Sequence, residues 1–545
     1  MVFETPELFM RILGIHGNFG KADHDPAAVL IIDNNIVAAA EEERFVRYKH
    51  AVGLMPDRAI QFCLNKAKIS MKDIDVIAFP RSTWSDFPPR LESYLLYNFG
   101  YVPKIEYLDH HTAHASSCYH VSGFSSSLII TYDLSGDGIS CGIFRGKGKD
   151  IEILDRIPFP NSIGLFAAFI TQYLGFRSNH DEYKVMGLSS NGKPNIDMGS
   201  IFKFDNGNLE FNQKLLHPEA LKRHPIFCTS QLPLFNNEKY PFLPKRRLRG
   251  EPITEDHKNL AASAQKTIED AVFSLIKKYK KDEDEYLCIG GGVAENSVVN
   301  GKIAESKLFK DIYISPACGD AGSALGACLY LANTNGYDFN KVNENKWGSS
   351  YSNEDIKKSL DKYNIKYHYS QNVAEETSEL LAKQNIVAWF QGGMEFGSRA
   401  LGSRSLLCDP SNPEMKEKMN RIKKREQFRP FAPSVLEEHQ SSLFKSNQFS
   451  PFMSFTLQTT EIGQKQLISA THVDQTARLQ SVSKDDSIYR KLIESFYSKT
   501  KIPALLNTSL NSGWEPIVEN PEQALAFFYS SETNILAIGN YIIKK

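Results

Sequence analysis

Apolar residues along the chain come in short runs broken by polar turns, the pattern of alternating strands and helices rather than of long helical bundles. Residues 11 to 46 read as a strand (RILGIHG), a polar loop and a hairpin in which AAVLII and IVAAA flank Asp33-Asn34-Asn35, residues that tolerate tight turns. A second unit runs through SLIITYD (127–133), turns at Ser135-Gly136-Asp137-Gly138 and resumes as ISCGIF (139–144). Helical segments follow each. Two strand–acidic-turn–strand units of this kind predict an α/β fold with duplicated halves.

Further along, residues 204–258 are polar and rich in Pro, Asn and Lys, including Pro225, Pro233, Pro241 and Pro244. They read as an insertion or a long surface excursion rather than core. Helical spacing returns at 259–279, followed by a strand with a glycine turn (YLCIGGGVAENS) and a second strand (IYISPACGDAGSALGACLYL). The polar, turn-rich stretch 334–353 sets the main boundary, giving an N-terminal domain over 1–345 and a C-terminal domain over 346–545. The latter has its own strands at VAWFQG (387–392) and PALLN (503–507), with helices between.

The length of 545 residues agrees with more than one core. With 63 basic and 64 acidic residues the chain lacks the basic excess of a dedicated nucleic-acid binder, so no nucleic-acid partner is expected. Eight cysteines without a C-x-x-C pair indicate neither a disulfide framework nor a thiolate zinc site. No apolar run approaches the ~18 residues of a membrane helix, and MVFETPELFM lacks the features of a signal peptide. A cytoplasmic protein without a membrane partner is expected; nothing fixes the oligomeric state, and a homodimer stays open.

Three stretches carry candidate chemistry. His110 and His114 in DHHTAHASS are one helical turn apart, so both imidazoles project from one face and can share a metal. Two histidines so spaced also serve as ordinary capping or core residues. Asp133 and Asp320, each close to a strand end, strengthen the metal reading, and oxygen and imidazole donors suit iron, manganese or zinc better than magnesium. Gly290-Gly291-Gly292 and Gly319-Asp320-Ala321-Gly322-Ser323 each follow a strand and lead toward a helix, where backbone N–H groups can meet a phosphate; glycine equally serves plain turns. There is no Walker lysine motif. Residues 399–429 are densely basic. Lys416 and Lys418 read as a solvated helix face, whereas Arg399 and Arg404 in GSRALGSRS, and Arg429 before Pro430-Phe431-Ala432-Pro433, suit phosphate oxygens. Near the N-terminus, Asp23-His24-Asp25 offers a general base, and Arg44, Arg47, Lys49 and His50 offer cations to polarise a carbonyl; a charged loop without a role accounts for them equally well.

Together these segments resemble the nodulation- and antibiotic-type O-carbamoyltransferases. The resemblance rests on HDPAAVLIIDNNIVAAAEEERFVRYKH, DHHTAHASS, NHDEYKVMGLS, GGGVAENSVVNGKI, SPACGDAGSALGA, FQGGMEFGSRALGSRSLLCDP, REQFRPFAPSVL and NTSLNSGWEPIV, which follow in order along nearly the whole chain. It implies an N-terminal actin/hexokinase-like (ASKHA) domain and a C-terminal YrdC-like domain. The latter would use ATP, with Mg2+, and carbamoyl phosphate to make carbamoyl-adenylate; the former would pass the carbamoyl group to a hydroxyl of a small sugar or natural-product acceptor. The resemblance also implies a bound metal, Fe(II), on His110, His114, Asp133 and Asp320. It puts Gly291, Gly292 and Asn296 at the adenosine and Gly322 and Ser323 near the phosphate. His24 would be the base and Lys49 would sit on carbamoyl or phosphate oxygens. Arg399, Arg404, Lys424, Arg425, Arg429 and Asn507 would bind ATP and carbamoyl phosphate. The chain departs from the family at Ser398, where proline is expected, and residues 1–9 precede the usual family start at Met10. An actin-fold sugar kinase or ATPase is the rival reading, but it gives residues 390–436 no task.

Overall fold

The computed structural model describes residues 10–20, 24–81, 86–217, 235, 240, 242–484 and 487–545. Residues 1–9, and with them the expectation of an N-terminal extension, lie outside that set. The first sheet contains β1 (Arg11–His16), β2 (Ala27–Ile32), β3 (Asn35–Glu41), β4 (Val76–Phe79) and β5 (Lys104–Tyr107) in the order β3-β2-β1-β4-β5. Antiparallel pairing joins β1, β2 and β3, and β4 and β5 add in parallel. The second contains β6 (Ser126–Gly136), β7 (Ile139–Lys147), β8 (Asp150–Pro158), β11 (Tyr286–Gly290) and β12 (Asp311–Ile314). Its order, β12-β11-β6-β7-β8, and its strand directions repeat the first sheet. This is the duplicated α/β architecture that the two hairpin units predict, and it fits the actin/hexokinase-like domain that the resemblance implies. The turns fall where expected, with Asp33 (φ 55°) and Asp137 (φ 52°) in the left-handed region.

Continuous apolar runs form β1 and β2 because helices cover this sheet on both faces. The helix Asp320–Thr334 lies tight on β1 and on the helix His110–Tyr119. A Cβ on Gly14 would meet the Ala324 carbonyl at 2.2 Å, and one on Gly326 the Ala113 carbonyl at 1.8 Å. That close approach brings the start of one helix over the histidines of the other.

Two boundaries differ from the sequence reading. The helix expected from 259 starts at Glu255, because Thr254 caps it through its hydroxyl and acidic residues fill the first turn. The described residues of 204–258 are also not a bare surface excursion. The hairpin β9 (Phe202–Asp205) and β10 (Asn208–Phe211) leads into buried Leu215, Leu216, Phe235 and Leu243. The Phe235 ring lies 5.0 Å from Phe169. Isolated apolar side chains among polar ones conceal this packing from a window-based reading. Pro225, Pro233 and Pro241 lie outside the described residues.

The third sheet has nine strands, β13 (His368–Tyr369), β14 (Val387–Phe390), β15 (Arg404–Cys408), β16 (Ala432–Leu436), β17 (Phe455–Gln458), β18 (Thr476–Val482), β19 (Ala504–Ser509), β20 (Ile535–Ile538) and β21 (Tyr541–Lys544). The helix Ser297–Glu305 packs directly on β17: Ser297 and Thr456 hydroxyls are 2.9 Å apart, and Asn300 donates to the Ser454 carbonyl at 3.0 Å. One apolar cluster runs from β6 to β20 through this contact. No described helix is long and apolar enough to cross a membrane.

Gly326→Ala should be strongly destabilising, by about 1–3 kcal/mol or more, because the methyl group must push two packed helices apart. A lowered midpoint in chemical denaturation checks this, and an unchanged midpoint would mean that the two helices are less tightly coupled than described.

Candidate functional site

Asp109 caps the helix His110–Tyr119 by accepting the Thr112 N–H at 2.8 Å, which fixes where the two histidines point. Asp133 lies on β6 where its pairing with β7 breaks between Tyr132 and Gly136, and Asp320 is the first residue of its helix. One donor atom from each of the four falls within 4.8 Å of the others. The two Nε2 atoms are 3.0 Å apart; His114 Nε2 is 3.3 Å from Asp133 Oδ2 and 3.7 Å from Asp320 Oδ1. Both Nδ1 atoms are buried without a hydrogen-bond partner. Burial disfavours charge on His114, yet hydrogen bonds to Asp133 and Asp320 outweigh it and raise its pKa to about 9. Two imidazole nitrogens facing two carboxylates at this spacing fit a divalent cation, and the mixed donor set matches iron, manganese or zinc.

The glycine turn after β11 closes on this cluster. Gly292 N donates to Asp133 Oδ2 at 3.1 Å, and Gly291 (φ 87°) leaves no room for a side chain, since a Cβ would meet the Tyr132 carbonyl at 2.3 Å.

Beside it lies a second titratable group. His24 Nδ1 donates to Asp25 Oδ2 at 2.7 Å and His50 Nδ1 to Asp25 Oδ1 at 2.8 Å, so one carboxylate orients two imidazoles and leaves both Nε2 atoms for proton exchange. His180 packs against His50 with ring centroids 4.8 Å apart. Asp25 (φ 58°), His50 (φ 63°) and Asn179 (φ 62°) all adopt left-handed backbone, a concentration of strain that marks functional loops. Burial opposes charge on His24, but Asp25, and then Asp320 and Asp133, raise it to about 10. His180 is driven down to about 2 by burial and by His50 and His24. His16 links the two groups, its Nε2 lying 3.3 Å from the His24 carbonyl and 3.6 Å from Asp320 Oδ2.

A third group is cationic. The Arg429 guanidinium lies 4.7 Å from the Tyr183 ring centroid, and Lys49 Nζ lies 5.8 Å from the same ring. Arg425 lies 4.1 Å over Phe431, and Lys423 Nζ donates to the carbonyl and side-chain oxygens of Asn511 at 2.8 Å. Burial and then mutual repulsion depress Lys49, Lys423, Arg425 and Arg478: Arg429 presses on all four, and Arg399 on Arg478. Arg478 Nε is buried without a partner. Cations from distant parts of the chain that press on one another in this way suit an anion.

Comparison with known proteins settles the family. Residues 11–98 and 89–329 match the carbamoyltransferase N-terminus, and residues 378–545 match the carbamoyltransferase C-terminus. The chain belongs to the carbamoyltransferase family. It is 36% identical to the nodulation protein NolNO of Sinorhizobium fredii over 98% of this chain and 83% of that one. To NolO of Bradyrhizobium diazoefficiens it is 35% identical over 80% of this chain and 79% of that one. A crystal structure of T.kodakarensis HypF covers 61% of this chain and 49% of its own at 13% identity and a TM-score of 0.33, too distant to carry an argument.

The carbamoyltransferase brings together His110, His114, Asp133 and Asp320, sets His24 on Asp25, and gathers Lys49, Arg425 and Arg429. Other residues singled out in the sequence have different surroundings. Arg404 is fully buried and donates to the carbonyls of Gln391 (2.8 Å), Gly392 (3.1 Å), Ser403 (3.2 Å) and Ser349 (3.0 Å), stacked 3.7 Å over Phe390; it holds backbone and does not reach the cationic group. Lys424 is exposed over Trp514, and its neighbour Lys423 is the buried one. Asn507 is buried and donates to the Ala400 carbonyl at 3.2 Å, supporting the arginine loop, residues 397–405 with Arg399 and Arg404. Asn296 caps the helix Ser297–Glu305 and exchanges amide hydrogen bonds with Gln265. Gly322 and Ser323 are buried in the first turn of the Asp320 helix, where the Ser323 hydroxyl donates to the Asp320 carbonyl at 2.6 Å. Arg44 and Arg47 turn to backbone carbonyls of Gly397, Pro516 and Ile517 rather than to a substrate. Sequence reading did not single out His180, Lys423, Arg478 or Glu295 as site residues: the first, second and fourth stand within or beside the quoted motifs but only the fold shows which side chain of each motif has site partners, and Arg478 lies in none. The left-handed Asn179 beside His180 leaves no signal in a single sequence.

Arg404→Lys should destabilise the protein by about 2–4 kcal/mol, since an ammonium cannot serve four carbonyls through a planar fork. Denaturant unfolding measures it, and a change below about 1 kcal/mol would contradict the structural role.

Proposed function

We propose that this carbamoyltransferase consumes ATP and carbamoyl phosphate, makes carbamoyl-adenylate over residues 346–545 and passes the carbamoyl group to a hydroxyl of a small sugar or natural-product acceptor over residues 1–345. The observation that carries this is the cationic group: Lys49, from the turn Lys49–Ala51 that follows β3, lies beside the Tyr183 ring that Arg429 covers and shares one electrostatic neighbourhood with Lys423, Arg425, Arg429 and Arg478. Such a site suits polyanions, and its position between the two family regions suits an intermediate handed from one to the other. Atoms balance when carbamoyl phosphate, ATP, water and the hydroxyl give the carbamate ester, AMP, pyrophosphate and phosphate. A kinase would also bind phosphates with cations, but it leaves the C-terminal region without a task, so the match of both halves to carbamoyltransferase regions favours carbamoyl activation over the kinase reading.

In this reading the cationic side chains hold the phosphates, and their burial keeps water from the hydrolysable adenylate. His110, His114, Asp133 and Asp320 would hold one divalent cation, Fe(II) on the resemblance, which supplies Lewis-acid polarisation of an oxygen bound there. His24 Nε2 takes the proton of the attacking hydroxyl while Asp25 fixes the ring through Nδ1. A His24 raised to about 10 holds its proton at neutral pH. A cation on Asp133 and Asp320 offsets part of the charge that raises it and favours the neutral base.

Pyrophosphate release should require ATP and carbamoyl phosphate together, and Arg429→Ala should slow it about a hundredfold. ADP formation from ATP alone, with a phosphorylated sugar, would overturn the reading. His24→Ala should retain the first pyrophosphate release but lower carbamoyl transfer about 10²–10⁴-fold in a screen of hydroxyl acceptors. Equal loss of both steps would remove His24 from the base role.

A further inference from the structure

Glu295 carries none of the chemistry above, yet it bridges the two segments proposed to handle nucleotide. It ends the turn Gly292–Glu295 that follows the glycine pair. Its two oxygens reach consecutive residues of the arginine loop: Oε1 accepts from the Ser398 hydroxyl at 2.7 Å and Oε2 from Arg399 Nη2 at 2.7 Å. Cys318 Sγ lies 3.7 Å from Oε1. Ser398, where the family pattern has proline, thus spends its hydroxyl on this carboxylate.

The loop is held independently just before this point. Gly397 N donates to Glu41 Oε1 and Asn345 Nδ2 donates to the Phe396 carbonyl, both at 2.8 Å. Glu295 is therefore not needed to keep the loop in place. The ion pair is also open to exchange, with side chains 20% and 33% exposed for Arg399 and Glu295. Partial exposure gives a ligand access to the pair, so a multiply charged anion can compete with the carboxylate for the guanidinium. Arg478 lies in the same field, charged against Arg399 and toward Glu295, with its Nε unpartnered. One half of a two-guanidinium anion site is thus occupied by a carboxylate and the other half is left with an unused donor.

We infer that Glu295 is an internal stand-in for nucleotide phosphate, holding Arg399 and Ser398 until phosphate takes them, so that its release tells the glycine turn that the activation site is filled. The inference rests on the reading of the arginine loop as the nucleotide site. Glu295 acts through Arg399 and is a positioning residue.

Calorimetric titration of the full chain with MgATP tests this on wild type, Glu295→Gln and Glu295→Ala. Both variants remove the competing charge, and Glu295→Gln keeps an acceptor for Ser398. Each should bind ATP about three- to tenfold more tightly than wild type, as expected when a competing ion pair is lost. Adding Arg399→Ala to Glu295→Gln should abolish that gain, a non-additivity that a purely structural role would not give. Unchanged or weaker ATP binding in both Glu295 variants would overturn the inference while leaving the nucleotide site intact. A wild-type chain that does not bind ATP would overturn the site reading and the inference with it.

Discussion

Glu41 and Arg44, both buried at the end of β3, hold one residue of a loop 353 positions later than Arg44. Glu41 accepts the Gly397 N–H, Arg44 donates to the Gly397 carbonyl, and the two side chains pair with each other at 3.2 Å. Burial lifts Glu41 to about 7 against the pull of Arg44 and the Gly397 amide. Arg44 also pairs with Glu43 at 2.7 Å, so removing Arg44 would leave two buried carboxylates unpaired, at a cost of about 3–5 kcal/mol. The following residues depend on this grip. Arg47 donates to the carbonyls of Pro516 and Ile517, Lys49 enters the cationic group, and His50 takes one oxygen of Asp25. One short segment thereby links the His24–Asp25–His50 unit to the Lys/Arg group.

The three charged groups differ in the chemistry each suits. The His/Asp cluster has converging donors that fit a cation; the Lys/Arg group has converging cations that suit an anion. Near both, the His24–Asp25–His50 unit is internally paired through one carboxylate. The glycine turn at 291–292 touches the first group through Asp133 and reaches the arginine loop through Glu295.

Much of this was legible in the sequence because it is local. Hairpin turns, the one-turn spacing of His110 and His114 and the short motifs all lie within a few residues, where chain geometry dictates what can face what. Burial and long-range partners do not obey that rule. Arg404 looks like Arg399 in GSRALGSRS, yet five residues of a bending loop turn one to solvent-accessible Glu295 and the other into a cage of carbonyls. Lys423 and Lys424 are adjacent, and the left-handed backbone at Lys424 (φ 49°) is where their environments part. Arg478 stands in no quoted motif, and within NHDEYKVMGLS nothing marks His180 over its neighbours; packing gives both their partners.

If the two regions act as proposed, activation and transfer are joined and the intermediate stays on the chain. Rapid quenching after mixing with ATP and carbamoyl phosphate, without acceptor, tests it most directly. The account predicts a burst of about one pyrophosphate per chain, with carbamoyl-adenylate co-eluting with protein on gel filtration, as an enclosed site protects it. Steady pyrophosphate release with no burst, and carbamoyl-adenylate or its breakdown products free in solution, would contradict it.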